Sequence, residues 1–130
     1  MMSYLIDSMW VMDALKGTPA ARDLFTRLTN EPLAISLITY GEVYEGIYYG
    51  PSRRVSEDGF RRFLRGVSVL VPNRSIMRRF ALIGGDLRNR GELSGDPDIL
   101  IAATALHHNL TLVTENVRHF ERIAGLSLYR

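Results

Sequence analysis

Acidic, hydroxyl and amide side chains recur just after the short apolar runs of this sequence. They are Asp7, Ser8, Glu42, Asp96, Asp98, Thr114, Glu115 and Asn116. If the apolar runs form parallel strands, this polar set gathers beyond their carboxyl ends, where α/β proteins bind ligands. Oxygen ligands with no cysteine and little nearby histidine suit a hard ion, Mg²⁺ or Mn²⁺. Such an ion activates water and neutralises charge on a phosphodiester, so the pattern predicts metal-assisted hydrolysis.

Each of these residues also has an ordinary structural interpretation. Asp7 or Ser8 could cap a helix, and residues 39–42 fit a capping box that ends in Glu42. Asp96 precedes a proline and fits an N-cap, while Asn116 could cap the turn after it. The set is harder to explain in this way, because two carboxylates about 4 Å apart repel by about 4 kcal/mol at an effective dielectric near 20. Protonation or a bound cation has to relieve such repulsion.

The elements that must position these residues follow from the hydrophobic pattern. Strands are predicted at 3–7, 33–36, 67–71, 110–114 and, at an edge of the sheet, 126–129. Helices are predicted at 8–15, 19–29, 39–49, 52–65, 75–90 and 96–108, with a short helical turn at 117–121. The alternation of strands and helices predicts an α/β domain with a mostly parallel sheet.

Composition limits the classes of protein that the chain can represent. Its 130 residues, 46% of them hydrophobic, predict one compact domain over 1–130. The absence of cysteine excludes disulfides, cysteine-bound zinc, iron–sulfur clusters and thiol catalysis. Neither a membrane helix nor a signal peptide is predicted, so a cytoplasmic location is expected.

Arginine supplies 15 of the 16 basic residues, yet the formal charge is only +2. Arginine binds phosphate through two parallel hydrogen bonds, so a nucleic-acid partner is one interpretation. A compositional bias of the source genome is the other, and charge alone favours it. Arg118, close to Asn116, is the arginine best placed to meet a phosphate.

Four segments carry a family resemblance in their order and spacing. They are Leu5-Ile6-Asp7-Ser8, Ser36-Leu37-Ile38-Thr39-Tyr40-Gly41-Glu42-Val43, the stretch 96–106 with Leu-Ile-Ala-Ala-Thr-Ala-Leu at its end, and Leu112-Val113-Thr114-Glu115-Asn116-Val117-Arg118-His119-Phe120. Together they resemble PIN-domain ribonucleases, in particular VapC-type toxins of bacterial toxin–antitoxin pairs. The resemblance implies a three-layer α/β/α domain with a central, mostly parallel sheet flanked by helices.

The resemblance also implies roles for individual residues. Asp7, Glu42 and Asp98 take the positions of the family's three main acids, which hold metal and support catalysis. The fourth catalytic position, often Asp in the family, is Asn116 here. Asp96 falls where some members carry a further acid and is predicted as an additional metal ligand.

Two hydroxyl residues and a set of partners complete what the resemblance implies. Ser8 and Thr114 match hydroxyl positions that hold the acids or water. The implied cofactor is Mg²⁺, with Mn²⁺ as a substitute, and a water activated by the ion attacks phosphorus without any protein nucleophile. The implied partners are an RNA substrate, a cognate antitoxin and a second copy of the chain in a homodimer or a larger toxin–antitoxin assembly.

Several alternatives are weighed against this hypothesis. A dinucleotide-binding domain would need a glycine-rich turn after the first strand, and a phosphoaspartate hydrolase would need an Asp where this chain has Met9. A receiver domain would need a lysine late in the chain, whereas the single lysine is Lys16. These absences count against all three classes. A PIN-like module that binds RNA or protein, with catalysis impaired by Asn116, stays open. Two interpretations also remain for the stripe Tyr40, Tyr44 and Tyr48: core packing, or a groove formed with the 52–65 helix for an antitoxin peptide.

Overall fold

A parallel sheet forms the centre of the computed structural model, which describes residues 3–130. Its strands are β1 (Tyr4–Ile6), β2 (Leu33–Ser36), β3 (Val67–Leu70) and β4 (Thr111–Val113). The order is β3-β2-β1-β4, and every pairing is parallel. β1 therefore lies between β2 and β4, with Leu5 opposite Ala34 on one side and Leu112 on the other. This topology places Asp7, the residue after β1, in the middle of the edge that the carboxyl ends of the strands form.

Helices cover both faces of this sheet. They are α1 (Ser8–Lys16), α2 (Pro19–Arg27), α3 (Leu37–Tyr49), α4 (Arg53–Leu64), α5 (Arg74–Asn89), α6 (Asp96–His107) and α7 (Val117–Phe120). Leu5 packs into the core under α5 and α6, whereas Ile6 packs into the core under α1 to α4. Successive strand side chains point to opposite faces, so a strand buried on both sides reads as continuously apolar. The predicted three-layer α/β/α arrangement is confirmed.

Three local predictions need correction. The edge strand predicted at 126–129 is wrong in extent, because the structure shows a single bridge between Leu112 and Leu128. The capping box ending at Glu42 is wrong, because α3 begins two residues earlier and Ser36 is its cap, accepting from the Thr39 amide at 3.0 Å. Asp96 is not an N-cap either, since Gly95 holds that position and Asp96 is the first residue of α6.

None of the helices in residues 3–130 combines the length and the apolar character that crossing a membrane requires. The longest, α5, has 16 residues and presents arginines along its exposed face.

Candidate active site

Asp7 lies buried at the carboxyl end of β1, where it caps α1. Its Oδ1 accepts a hydrogen bond from the Ser8 amide at 2.8 Å, and its Oδ2 accepts one from the Thr114 hydroxyl at 2.6 Å. The Asp7 amide in turn donates to the Val113 carbonyl at 2.9 Å, which continues the pairing of β1 with β4. The sheet therefore fixes both the backbone and the carboxylate of Asp7, with the side chain 8% exposed.

Glu42 reaches the same place from the second turn of α3. The Ser8 hydroxyl donates to Glu42 Oε1 at 2.5 Å. Behind this contact lies the buried Thr39, whose hydroxyl oxygen is 3.4 Å from that of Ser8 and 3.2 Å from that of Ser36. Because Ser8 follows Asp7 directly, one dipeptide contacts α3 through its hydroxyl and Thr114, the residue after β4, through its carboxylate.

Asp98 approaches from the first turn of α6. Its Oδ2 lies 3.1 Å from Nε2 of His119, a residue of α7. The Asp98 side chain is 37% exposed, so it lies on the open side of the site, in contrast to Asp7. A carboxylate in the first turn is also favoured by the positive end of the helix dipole.

Electrostatics link the three carboxylates, which are called the acidic cluster below: Asp7, Glu42 and Asp98. Burial raises the pKa of Asp7, and the charge of Asp98 raises it further against the opposing hydrogen bonds from Thr114 and Ser8. Burial also raises the pKa of Glu42, and the charges of Asp7 and Asp98 add to that rise. The charge of Asp98 therefore acts on both Asp7 and Glu42, and the charge of Asp7 acts on Glu42, as expected for acids gathered at one edge of the sheet.

The donor set of the acidic cluster fits a hard divalent cation. All three side chains offer carboxylate oxygens, and Asp7 and Glu42 are bound by hydroxyl and amide hydrogens that hold them without neutralising them. Within residues 3–130, no three His, Cys, Asp or Glu side chains stand at the spacing of a finished metal site. The three carboxylates therefore share one edge of the sheet without standing at the mutual spacing of ligands to a single ion.

The remaining predicted site residues lie exposed at the starts of α6 and α7. Asp96 lines a cleft between α5 and α6 together with Gly84 and Ser94, and its role as an additional metal ligand stays a prediction. Asn116 is exposed at the start of α7 and makes no side-chain cap bond. Its backbone N–H donates to Thr114 Oγ1 at 3.1 Å. Arg118 is exposed on α7.

The prediction that Glu115 points away from its neighbour Asn116 assumes strand alternation, but β4 ends at Val113, two residues before Glu115. Burial, followed by a hydrogen bond with Asp13 of α1, raises the pKa of Glu115. The two carboxyls form a second acidic contact beside Asp7, whose charge also raises this pKa.

Sequence reasoning missed several residues that shape the site. Thr39 and Ser36 form the buried hydroxyl layer beneath Ser8, and their i, i+3 spacing was the available signal for a helix cap. His119 lies close in sequence to β4 and to the predicted site residue Asn116, but its contact with Asp98 was not predicted. Arg122 had no sequence signal at all, because its contact with His119 depends on the turn that follows α7.

Comparisons with known proteins give a consistent result. The model of the PIN domain matches residues 4–126. The protein named Ribonuclease VapC1 from Haemophilus influenzae (strain R2866) is 31% identical over 127 residues, covering 96% of this chain and 95% of the relative. Among solved structures, VapBC-1 from nontypeable Haemophilus influenzae superposes with a TM-score of 0.84 at 30% identity, covering 98% and 97% of the two chains. VapBC2 from Rickettsia felis, bound to a promoter DNA fragment, superposes with a TM-score of 0.89 at 25% identity, covering 98% of each chain.

Proposed function

The chain belongs to the PIN domain family, and on that premise we propose that it is a metal-dependent endoribonuclease toxin that a cognate antitoxin neutralises. The observation that carries this proposal is the convergence of Asp7, Glu42 and Asp98, from three separate elements, with pKa values of the first two raised by burial and mutual charge. The relative from Haemophilus influenzae is named a ribonuclease, which supports the same activity.

In this proposal the acidic cluster holds Mg²⁺, with Mn²⁺ as a substitute. When bound, the ion supplies the charge that activates water and offsets negative charge on the phosphodiester. The other residues of the chain hold and orient the proposed metal ligands. Thr114 and the Ser8 amide fix the two carboxylate oxygens of Asp7, and the Ser8 hydroxyl fixes the Glu42 carboxylate. No serine, threonine or tyrosine is needed as a nucleophile. Asn116 offers a neutral amide oxygen in place of a fourth charge, and Asp96 stays a secondary candidate.

The RNA substrate would meet exposed cations beside the acidic cluster. Arg118 on α7 is exposed two residues after Asn116, so its guanidinium can bind a backbone phosphate next to the cleaved bond. Contacts of this type bind RNA irrespective of its sequence, so Arg118 would contribute affinity rather than selectivity.

The proposed antitoxin has a suitable surface at α1, α3 and α4. A cavity of about 180 Å³ lies there, lined by Met12, Leu15, Lys16, Val43, Gly46, Ile47 and Ser56. Next to it, Tyr48 is 53% exposed, whereas Tyr44 packs on Phe60 with ring centroids 5.5 Å apart. The stripe therefore divides into a core part and an exposed part, and the exposed part suits an apolar peptide. The VapBC neighbours support an antitoxin partner, and homodimerisation or a larger assembly stays a prediction for light scattering.

The alternative is a PIN-like module that binds RNA or protein while Asn116 impairs catalysis. The charge of the acidic cluster separates the two proposals, because a pure binding module has no need of buried carboxylates that repel one another. A binding module would keep its function in Asp98→Asn, whereas an enzyme would lose it.

The decisive experiment is cleavage of single-stranded RNA by the purified chain with Mg²⁺, with Mn²⁺ and with EDTA. We expect cleavage only with the ions, and a loss of at least about 100-fold in Asp7→Asn, beyond the effect typical of outer-shell residues. Asp23→Asn on α2, an exposed acid outside the site, is the matched control and should retain full activity. Undiminished cleavage in EDTA, or by Asp7→Asn, would refute the proposal.

A further inference from the structure

Asp98 is held by a different kind of partner from the other two acids of the cluster. Asp7 and Glu42 accept from hydroxyls and an amide, whereas Asp98 Oδ2 lies 3.1 Å from His119 Nε2. The Ser94 hydroxyl oxygen is also 2.8 Å from that ring nitrogen. The Asp98 carboxylate, more than a third exposed, therefore depends on the imidazole for its orientation.

The contact between Arg122 and Nδ1 of His119 determines which ring nitrogen of His119 carries the hydrogen. Arg122 Nη2 lies 3.1 Å from His119 Nδ1. A guanidinium nitrogen can only donate, so Nδ1 is the acceptor and the ring hydrogen of this tautomer lies on Nε2. Nε2–H therefore points to Asp98, with the Ser94 oxygen as a second acceptor beside it.

Arg122 is itself fixed by backbone and side-chain contacts. Its Nε donates to the His119 carbonyl at 2.9 Å. Its Nη1 lies 3.4 Å from the Leu93 carbonyl and 3.6 Å from Glu92 Oε2, both in the segment that leads into α6. The side chain is 26% exposed, so these contacts are shielded in part from water. One arginine thus connects the turn after α7 to the segment before Asp98.

We propose that His119 is a positioning residue, oriented by Arg122, that holds the Asp98 carboxylate at the acidic cluster in readiness for a divalent ion. This inference rests on the proposed function, because it assumes that Asp98 ligates the ion. A partly exposed carboxylate without such a donor loses rotamer freedom when it binds a metal, and an outer-shell hydrogen bond removes that cost beforehand. The role depends on the position of one N–H group and not on the charge of the ring.

The test compares two amides that place their nitrogen differently. In His119→Gln the amide nitrogen can reach the former Nε2 position, whereas in His119→Asn it reaches only the Nδ1 position. Mn²⁺ binding to the whole chain without RNA is measured by calorimetry, and cleavage is measured in parallel. We expect His119→Asn to lose about tenfold or more in Mn²⁺ affinity, in the range known for outer-shell partners, and His119→Gln to retain most of it.

Two further variants guard against a purely structural explanation. Arg122→Ala leaves the imidazole in place but frees its orientation, so it should show a loss between those of the two amide variants. His108→Asn, at the C-terminus of α6 and away from the acidic cluster, is the matched control and should bind Mn²⁺ as the unaltered chain does. Circular dichroism melting of every variant shows whether the fold is kept.

The outcomes separate this inference from the proposed function. Unchanged Mn²⁺ affinity in His119→Asn, or a loss in His119→Gln equal to that in His119→Asn, overturns the positioning role. The metal proposal stands in either case if Asp98→Asn abolishes Mn²⁺ binding. Absence of Mn²⁺ binding by the unaltered chain overturns both. The expected pattern, loss in the Asn variant and recovery in the Gln variant, supports both.

Discussion

Two glutamates of neighbouring helices show how a carboxylate of this protein can be held in two different ways. Glu57 of α4 accepts from the Tyr44 hydroxyl at 2.9 Å and has a cation beside it, with Arg61 Nη2 at 3.3 Å. Glu42 of α3 also accepts from a hydroxyl, that of Ser8, but the charges that act on its pKa are those of Asp7, Asp98 and Glu45. One glutamate is neutralised locally and the other is surrounded by like charge.

The difference separates a structural contact from a site prepared for a ligand. The hydrogen bond to Glu57 raises the pKa of Tyr44 to about 12, and the same bond ties α3 to α4. At the acidic cluster, burial and neighbouring charge favour the protonated forms of Asp7 and Glu42 instead. Hydroxyl donors fix these carboxylates in place, and the proposed divalent ion would supply the opposite charge.

The largest effect is expected from the same exchange made at the two glutamates. Glu42→Gln removes a proposed metal ligand and should lower RNA cleavage by at least about 100-fold, since it goes beyond an outer-shell change. Glu57→Gln should leave cleavage unchanged and cost less than about 1 kcal/mol of unfolding free energy, as expected for a partly exposed ion pair. Initial cleavage rates and urea unfolding check the two halves of this prediction. Equal activity losses in both variants would mean that the comparison has no functional meaning.

A smaller effect is expected at the hydroxyl that holds Asp7. Thr114→Val keeps the shape of the side chain but removes the 2.6 Å hydrogen bond to Asp7 Oδ2. We expect about a tenfold loss of cleavage, as for other residues that orient a metal ligand, and a stability loss of roughly 1 kcal/mol. Thr111→Val, the same exchange at the start of β4, is the control for the change in side-chain chemistry. Full activity of Thr114→Val would show that the sheet alone positions Asp7.

The smallest effect concerns pH and stability in the absence of divalent ions. Because burial and like charge raise the folded-state pKa values of Asp7 and Glu42, the folded chain binds more protons than the unfolded chain above about pH 4. The contribution of these groups to the unfolding free energy therefore falls as pH rises from about 4 through their raised pKa values. Urea unfolding in EDTA at pH 5 and pH 7 should show a decline that Asp7→Asn reduces. An equal pH dependence in the two proteins would contradict this prediction.

Much of the fold could be predicted because the signals are local. The 33–36 strand was predicted with its observed bounds, and Leu5-Ile6 and Leu112-Val113 are buried apolar pairs in adjacent parallel strands. The error at the start of α3 arose because Ser36 and Thr39 are both suitable caps. Only the packed structure shows that the Ser36 hydroxyl accepts from the Thr39 amide. The predicted last strand reduces to one bridge, since a short apolar run does not determine how far pairing extends.

The sequence by itself determined that Asp7 follows the first strand and that Glu42 and Asp98 fall near the starts of helices, which predicts that the three acids gather at one edge of the sheet. Tertiary structure decided the contacts among them, because these depend on strand order and helix register and not on local pattern. The pairing of β1 with β4 brings Thr114 to Asp7 across 107 positions, and the turn of α7 brings His119 to Asp98. Asp96, two residues before Asp98 on α6, lines a cleft between α5 and α6. Successive residues of a helix are rotated by about 100°, so closeness in sequence does not decide which of two neighbouring acids makes a given contact.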